Sequence, residues 1–209
     1  MTTKEFISLE KSLLQDLEGF SIKGSLMFRS PVGRILQGVS FEGSSFDKTS
    51  FYVNVFAMPL CVPADHLFLN FGSRVRHVGG GDRWCITKPG VVAELTAMLK
   101  RNAIPFFSKT ESLLDFAEVA KSFSGNPHTT KAIAFTLARA GKTSQAIELL
   151  SQLPNQVDFS IPWQREIGDL CMLLEAKLRQ NPTDAQQQLA AWEVDTTRAL
   201  GLELYRDRG

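Results

Sequence analysis

The sequence predicts an α+β fold, in which an N-terminal helix and an antiparallel β-sheet packed with helices precede a C-terminal all-α helical bundle. Three observations predict it. The first segment has apolar residues at helical spacing, the next has short apolar and aromatic runs separated by Gly, Ser and Pro, and the remainder returns to helical spacing. The 209 residues are 44% hydrophobic and 22% charged, which is typical of folded globular proteins.

The first predicted element is a helix over residues 4–18. Its charged side chains lie largely opposite an apolar face, and Gly19 follows at a position suited to a helix end. The apolar face consists of Phe6, Leu9, Leu13, Leu14 and Leu17.

Five strands are expected after this helix. The first three form an antiparallel meander with a turn at residues 30–33, and the last two flank an irregular segment whose glycines at 79–81 predict a mobile connection. The predicted strands are residues 20–29, 34–42, 50–58, 66–71 or a little beyond, and 83–87.

Helical spacing resumes at Pro89, and we expect this helix to end before Ile104 and Pro105. Residues 138–147 resemble the helix-turn-helix of a tetratricopeptide repeat, but a single unit predicts a helical hairpin within a bundle, since a solenoid needs about three repeats. The sequence therefore predicts an α+β sheet domain over residues 1–124 and a helical extension over residues 125–209. The later predicted helices are residues 111–123, 129–140, 142–153, 161–180 and 183–205.

Charge and hydropathy narrow the classes of partner. The net charge is +1 and no stretch is densely basic, so we expect no nucleic-acid partner. No apolar run approaches the roughly 20 residues that span a bilayer, so we expect no membrane association. Residues 1–8 are polar and no apolar signal region follows them. We therefore expect a cytoplasmic protein, as a monomer or homodimer.

The cysteines and histidines give one candidate metal site. Cys61, His66, His77 and Cys85 are residue types that bind zinc, and they lie in one loop-rich region. Their spacing matches none of the closely paired ligand patterns, so surface histidines and buried thiols are the favoured interpretation. We predict no metal and no cofactor.

The sequence also lacks a recognisable catalytic pattern. The run Gly79–Asp82 has no Lys-Ser or Lys-Thr after it, as a phosphate-binding loop would have. The three histidines are not accompanied by a Gly-x-Ser-x-Gly motif. We predict no catalytic residues and no enzymatic activity. A weaker alternative is an enzyme or small-ligand binder that uses the cleft between the sheet and the helices, with Arg74, Arg76 and His77 near its rim.

Arginines and aromatic residues alternate through the predicted sheet, and both are enriched at protein interfaces. The alternative interpretation is an ordinary sheet with one solvated face. The candidate partner-binding residues are Arg29, Gln37, Asn54, Arg74, Arg76 and Trp84.

The first 120 residues or so resemble a bacterial family of small domains of unknown function, some of which are suspected immunity proteins of polymorphic toxin systems. The resemblance implies an N-terminal helix, an antiparallel sheet and trailing helices, and it brings no catalytic residues. Arg29, Gln37, Asn54 and Trp84 match recurrent positions of that family. The segments that carry the resemblance are Gly19-Phe20, Met27-Phe28-Arg29, Ile35-Leu36-Gln37, Phe51-Tyr52-Val53-Asn54-Val55 and Trp84.

The resemblance suggests a non-catalytic immunity-type protein that binds and neutralises a cognate bacterial toxin domain. Blocking an active site requires only a complementary surface. The alternative is a scaffold whose tetratricopeptide-like C-terminal helices dock a peptide or another protein. The helical tail distinguishes the two hypotheses. If deletion of residues 125–209 abolished partner binding while the sheet domain stayed folded, the scaffold hypothesis would be favoured.

Overall fold

The computed structural model describes residues 3–123 and 125–206, and it confirms the α+β prediction. The described residues form two compact units. The sheet unit lies within residues 1–58, 71–109 and 205–209, and the helical unit comprises residues 59–70 and 110–204. The predicted domains, 1–124 and 125–209, stay a prediction, because compactness is not a measure of independent folding.

The sheet unit combines two helices with an antiparallel sheet in which six strands are described. The chain order is α1 (Thr3–Leu14), β1 (Phe20–Lys23), β2 (Leu26–Arg29), β3 (Ile35–Gly43), β4 (Ser50–Pro59), β5 (Gly72–Arg74), β6 (Arg83–Cys85) and α2 (Val91–Ser108). The strands lie in the order β1-β2-β3-β4-β5, and β6 also pairs with β4. β5 pairs with residues 54–56 of β4 and β6 with residues 50–52, so the two short strands follow one another along β4.

The core of the sheet unit lies where α1 and α2 pack on one face of the sheet. In β4, buried Phe51, Val53 and Val55 alternate with half-buried Tyr52 and Asn54, as expected for a strand whose successive side chains point to opposite faces. The helices contribute the buried residues Phe6, Leu9, Leu13, Val91, Leu95, Leu99, Ala103 and Phe107.

The structure corrects two of the predicted strands. Residues 20–29 form two strands, β1 and β2, because Gly24 adopts a positive φ of 63° in a tight turn between them. Residues 66–71 are not a strand. The Ala57 N–H of β4 donates to the Phe71 carbonyl at 2.9 Å, and the strand β5 itself begins at Gly72. Apolar composition alone suggested the strand at residues 66–71. Composition is not sufficient, because a strand forms only where its backbone can pair with another strand.

The helix α2 does not end before Ile104 as the sequence predicted, since it continues through Pro105 to Ser108. A proline removes one backbone N–H from a helix and usually breaks it. Here the last turn carries Phe107, which is fully buried in the core, and its carbonyl accepts a hydrogen bond from the Gln37 side-chain amide at 2.6 Å. Burial and this bond stabilise the helical turn beyond the proline.

Glu10 is the most unusual residue of the core. Its side chain is fully buried on α1, and neither carboxylate oxygen has a hydrogen-bond partner within the described structure. Burial raises the pKa of Glu10 to about 8, because a charged carboxylate is poorly solvated away from water. The group is therefore largely protonated at neutral pH.

The helical unit contains the elements α3 (Leu113–Ala120), α4 (Pro127–Arg139), α5 (Thr143–Gln152), α6 (Pro162–Gln180) and α7 (Pro182–Ala199). The predicted hairpin at residues 138–147 is present as the turn between α4 and α5. Arg139 of α4 pairs with the buried Glu193 of α7 through two bonds of 3.1 Å, and Phe135 stacks on Trp192 at 5.4 Å. Within the described residues, we find no helix with the length and apolar character needed to cross a membrane.

Candidate functional site

A cleft beside the short strand β5 gathers several of the predicted residues. Gly72 begins this strand, and a Cβ at that position would lie 1.9 Å from the Val55 carbonyl oxygen, so only glycine permits the close pairing of β5 with β4. The pairing places Arg74 opposite Asn54. The tight backbone contact therefore fixes the register at which Arg74 leaves the sheet.

The segment after β5 is irregular, as the sequence predicted, and it contains a hydrogen-bonded turn around His77. The His77 backbone N–H donates to the Gly81 carbonyl at 2.9 Å, and the Gly80 N–H donates to the His77 carbonyl at 2.8 Å. A Cβ at Gly81 would lie 2.6 Å from His77 Nε2, so a side chain there would displace the imidazole ring. The three glycines thus allow the backbone to fold closely around one histidine.

This turn is also anchored to α2. The Val78 N–H donates to Glu94 Oε1 at 3.2 Å, and Lys88 Nζ lies 2.9 Å from Glu94 Oε2. The hydrogen bond from Lys88, then that from Val78, holds the pKa of the Glu94 carboxyl below its usual value. Glu94 is consequently charged at neutral pH and secures the turn. Val78 itself is 81% exposed.

The turn, β5 and α2 enclose an open cleft of about 350 Å³. Within the described part of the chain, its lining contains three arginines and a histidine but no carboxylate. The lining residues are Ser73, Arg74, Val75, Arg76, His77, Val78, Met98, Arg101 and Asn102. We call this surface the arginine cleft.

Arg74 is held in place on two sides. Its guanidinium carbon lies 4.3 Å from the centre of the Tyr52 ring, which is the geometry of a cation–π contact. Its Nη1 lies 3.1 Å from Asp82 Oδ2. A guanidinium carries five N–H donors, so a single bond to Asp82 leaves donors for a ligand.

The six predicted partner-binding residues do not form one surface. Arg74 and Arg76 line the arginine cleft, and Arg29 is half-buried on β2. Gln37 and Trp84 are buried, and each donates a side-chain hydrogen bond to a backbone carbonyl, that of Phe107 for Gln37 and that of Val75 for Trp84, the latter at 2.9 Å. Both therefore support the core of the sheet unit.

The sequence analysis missed two residues of the cleft, Arg101 and Asn102. The sequence contained a signal for them. Arg101 and Asn102 lie three and four residues after Met98, so the three side chains share one side of α2. The apolar spacing of this helix does not by itself point to these polar residues. Met98 packs against the core and also lines the cleft, so the cleft is reached by the flank of the apolar face of α2.

The candidate metal residues lie in different surroundings. Cys61 is buried in the helical unit, whereas His66 is exposed there and bonds to Asp65 at 2.6 Å. His77 and Cys85 belong to the sheet unit. Among the described residues, no group of three or more His, Cys, Asp or Glu side chains is arranged to bind a metal ion.

A second concave surface lies in the helical unit, between α3, α4 and α5. This helical groove has a volume of about 510 Å³ and charged residues at its edge, among which Glu118 pairs with Lys121. Leu114 contributes an apolar side chain that is 44% exposed. The other apolar lining residues are Ala117, Ile133, Leu137 and Leu149.

Comparison with known proteins adds no relative from which a site could be transferred. No protein-family model, no curated protein and no solved structure matches the chain.

Proposed function

We propose that this chain is a cytoplasmic, non-catalytic bacterial protein of the immunity type, which binds a toxin domain and blocks it. The observation that carries the proposal is the arginine cleft. Three arginines, a polar Asn102 and the exposed Val78 lie on a frame of paired strands and one helix. Arginine with adjacent apolar area is a typical composition for the energetically important part of a protein interface.

The rigidity of the frame supports this proposal. Arg74 is stacked on Tyr52 and bonded to Asp82, and the adjacent turn is bonded to Glu94. A surface that is already ordered loses less conformational entropy when it binds. An inhibitor that must capture its target before damage occurs benefits from such a surface.

The arrangement in the cleft also favours binding over acid–base chemistry. Paired carboxylates, or a nucleophile with a histidine base, are the usual requirements for hydrolysis. The His77 ring instead packs against Gly81 and lies edge-on to Trp84 at 6.0 Å. It serves as the centre of the turn.

The test is co-expression with the product of the neighbouring upstream reading frame, with host survival and then co-purification as the measurements. We expect that product to be toxic alone, to be tolerated in the presence of this protein, and to form a stable complex with it. A harmless neighbour that forms no complex would contradict the proposal.

The helical groove favours a second candidate, a scaffold that docks a peptide or another protein on its C-terminal helices. The substitution Leu114→Glu separates the two. Leu114 is exposed, so the protein should fold, and a charge at that position should oppose apolar binding in the groove. If Leu114→Glu abolishes complex formation and Arg76→Glu does not, the scaffold replaces the inhibitor.

A further inference from the structure

The segment of the chain that contains the lining of the arginine cleft carries an excess of positive charge. Residues 73–102 carry six basic and two acidic side chains, a net charge of +4, although the whole chain has a net charge of only +1. The remaining residues are therefore net acidic. Because the basic residues are interrupted by apolar ones along the sequence, this excess is not visible as a basic run.

The two acidic side chains of this segment are already engaged. Asp82 bonds to Arg74, and Glu94 bonds to Lys88 and the Val78 N–H. Arg76 and Arg101 are exposed and line the cleft, and neither forms an ion pair with another described residue. The cleft thus presents positive charge that the described structure leaves uncompensated.

We infer that the arginine cleft binds an acidic segment of the partner protein, with Asp or Glu carboxylates meeting Arg76 and Arg101. This inference rests on the proposed function and specifies the chemistry of its partner. Guanidinium groups match carboxylates in geometry as well as in charge, since two parallel N–H donors can meet two oxygens. Arg74, oriented by Tyr52 and Asp82, offers further donors beside them.

The apolar residues of the cleft favour a protein over a nucleic acid. Val78 is 81% exposed at the rim and Met98 is half-buried in the lining. Apolar side chains give little attraction to a phosphate backbone, but they add contact area at the centre of a protein interface. A toxin that presents a cationic nucleic-acid-binding face would be repelled, so the blocked surface of the partner is acidic.

The test uses a blocked oligo-glutamate peptide with one central valine as the probe. A glutamine peptide of the same length and an oligothymidylate serve as comparison ligands, and affinity is measured by calorimetry at low and high salt. We expect the glutamate peptide to bind, the glutamine peptide not to bind, and added salt to weaken binding by screening.

The decisive variant is Arg76→Glu/Arg101→Glu, with Arg76→Gln/Arg101→Gln as a milder form and Arg34→Glu as the matched control. Arg34 is exposed in the same unit but does not line the cleft. We expect the double reversal to weaken peptide binding roughly tenfold or more, the glutamine form to weaken it less, and the control to bind like the parent.

Three results would overturn the inference. They are equal weakening by Arg34→Glu, equal binding of the glutamine peptide, and preferential binding of the oligothymidylate, which would indicate a nucleic-acid surface. Circular dichroism of each variant shows that it is folded. The co-expression assay separates two failures. If the double-reversal variant still protects the host, the cleft is not the interface. If the parent chain does not protect the host, the inhibitor hypothesis itself is rejected.

Discussion

At the scale of single residues, Glu10 combines full burial with a carboxylate that has no described hydrogen-bond partner. Its pKa of about 8 in the folded protein lies above the ordinary value of 4.5. The folded state consequently holds this proton more tightly than the unfolded state does. The contribution of the protonated group is fully present below about pH 4.5 and is lost as the pH rises towards about 8.

We predict that Glu10→Gln removes most of this pH dependence. The rise in pKa from 4.5 to about 8 corresponds, at about 1.4 kcal/mol per unit, to about 4–5 kcal/mol in free energy of unfolding, and the variant should exceed the parent by about that amount above pH 8. Near pH 4 the two should be similar, because both side chains are then neutral. Urea unfolding at several pH values measures the difference.

The matched control for Glu10 is Glu18→Gln, since Glu18 is exposed. It should leave the pH profile of stability close to that of the parent. Identical profiles for Glu10→Gln and the parent would show that the buried carboxyl is solvated or partnered in solution, contrary to its surroundings in the structure.

At the scale of secondary-structure elements, β5 is a three-residue strand whose position depends on Gly72. We predict that Gly72→Ala lowers the free energy of unfolding by about 3 kcal/mol or more, because the added methyl group would collide with the β4 backbone. It should also weaken partner binding, since Arg74 is the last residue of the strand and Arg76 follows it closely. Urea unfolding and the affinity for the glutamate peptide are the measurements.

Gly33→Ala provides the comparison for this substitution. A Cβ at Gly33 meets no heavy atom within 4 Å, so its effect should stay within about 0.5 kcal/mol. Equal effects of the two substitutions would mean that β4 and β5 are not held as closely as the structure indicates.

The same elements show what the sequence could predict. Periodicity was sufficient to locate α1, β3, β4 and the later helices. It did not fix every end, since α1 ends at Leu14 and α7 at Ala199, before the predicted residues 18 and 205. It was insufficient for β5, because a three-residue strand is too short to display a period. It also failed at Pro105, where burial of Phe107 outweighs the local preference against proline.

The candidate site was predictable only in part for a related reason. Arg74 and Arg76 stood out beside aromatic residues, but Trp84 did so equally and is buried. Arg101 is almost thirty residues away from Arg74 in sequence, and only the packing of α2 beside β5 brings both into one cleft. A single sequence shows which residue types are present but not which distant residues the fold brings together. The cleft depends on such long-range packing.

At the scale of the whole molecule, the chain enters each compact unit more than once. It leaves the sheet unit after residue 58, returns at residue 71, leaves again after residue 109 and returns at residue 205. On this last return, the Val32 N–H donates to the Tyr205 carbonyl at 2.7 Å. The Tyr205 ring lies edge-on to the fully buried Phe28 at 5.0 Å.

We therefore predict that removing residues 125–209 destabilises the sheet unit as well as deleting the helices. Tyr205→Ala in the full chain should reproduce part of this effect, with a loss of about 1–3 kcal/mol in the stability of β2 and β3, because Phe28 loses its aromatic partner. Hydrogen exchange of the β2 and β3 amides measures this loss. Leu204→Ala is the control, because the Leu204 side chain is 83% exposed.

Full protection of these amides in the truncated chain would contradict the prediction. If protection is lost, truncation will abolish partner binding whichever surface is used, so only point variants such as Arg76→Glu and Leu114→Glu can separate an inhibitor from a scaffold.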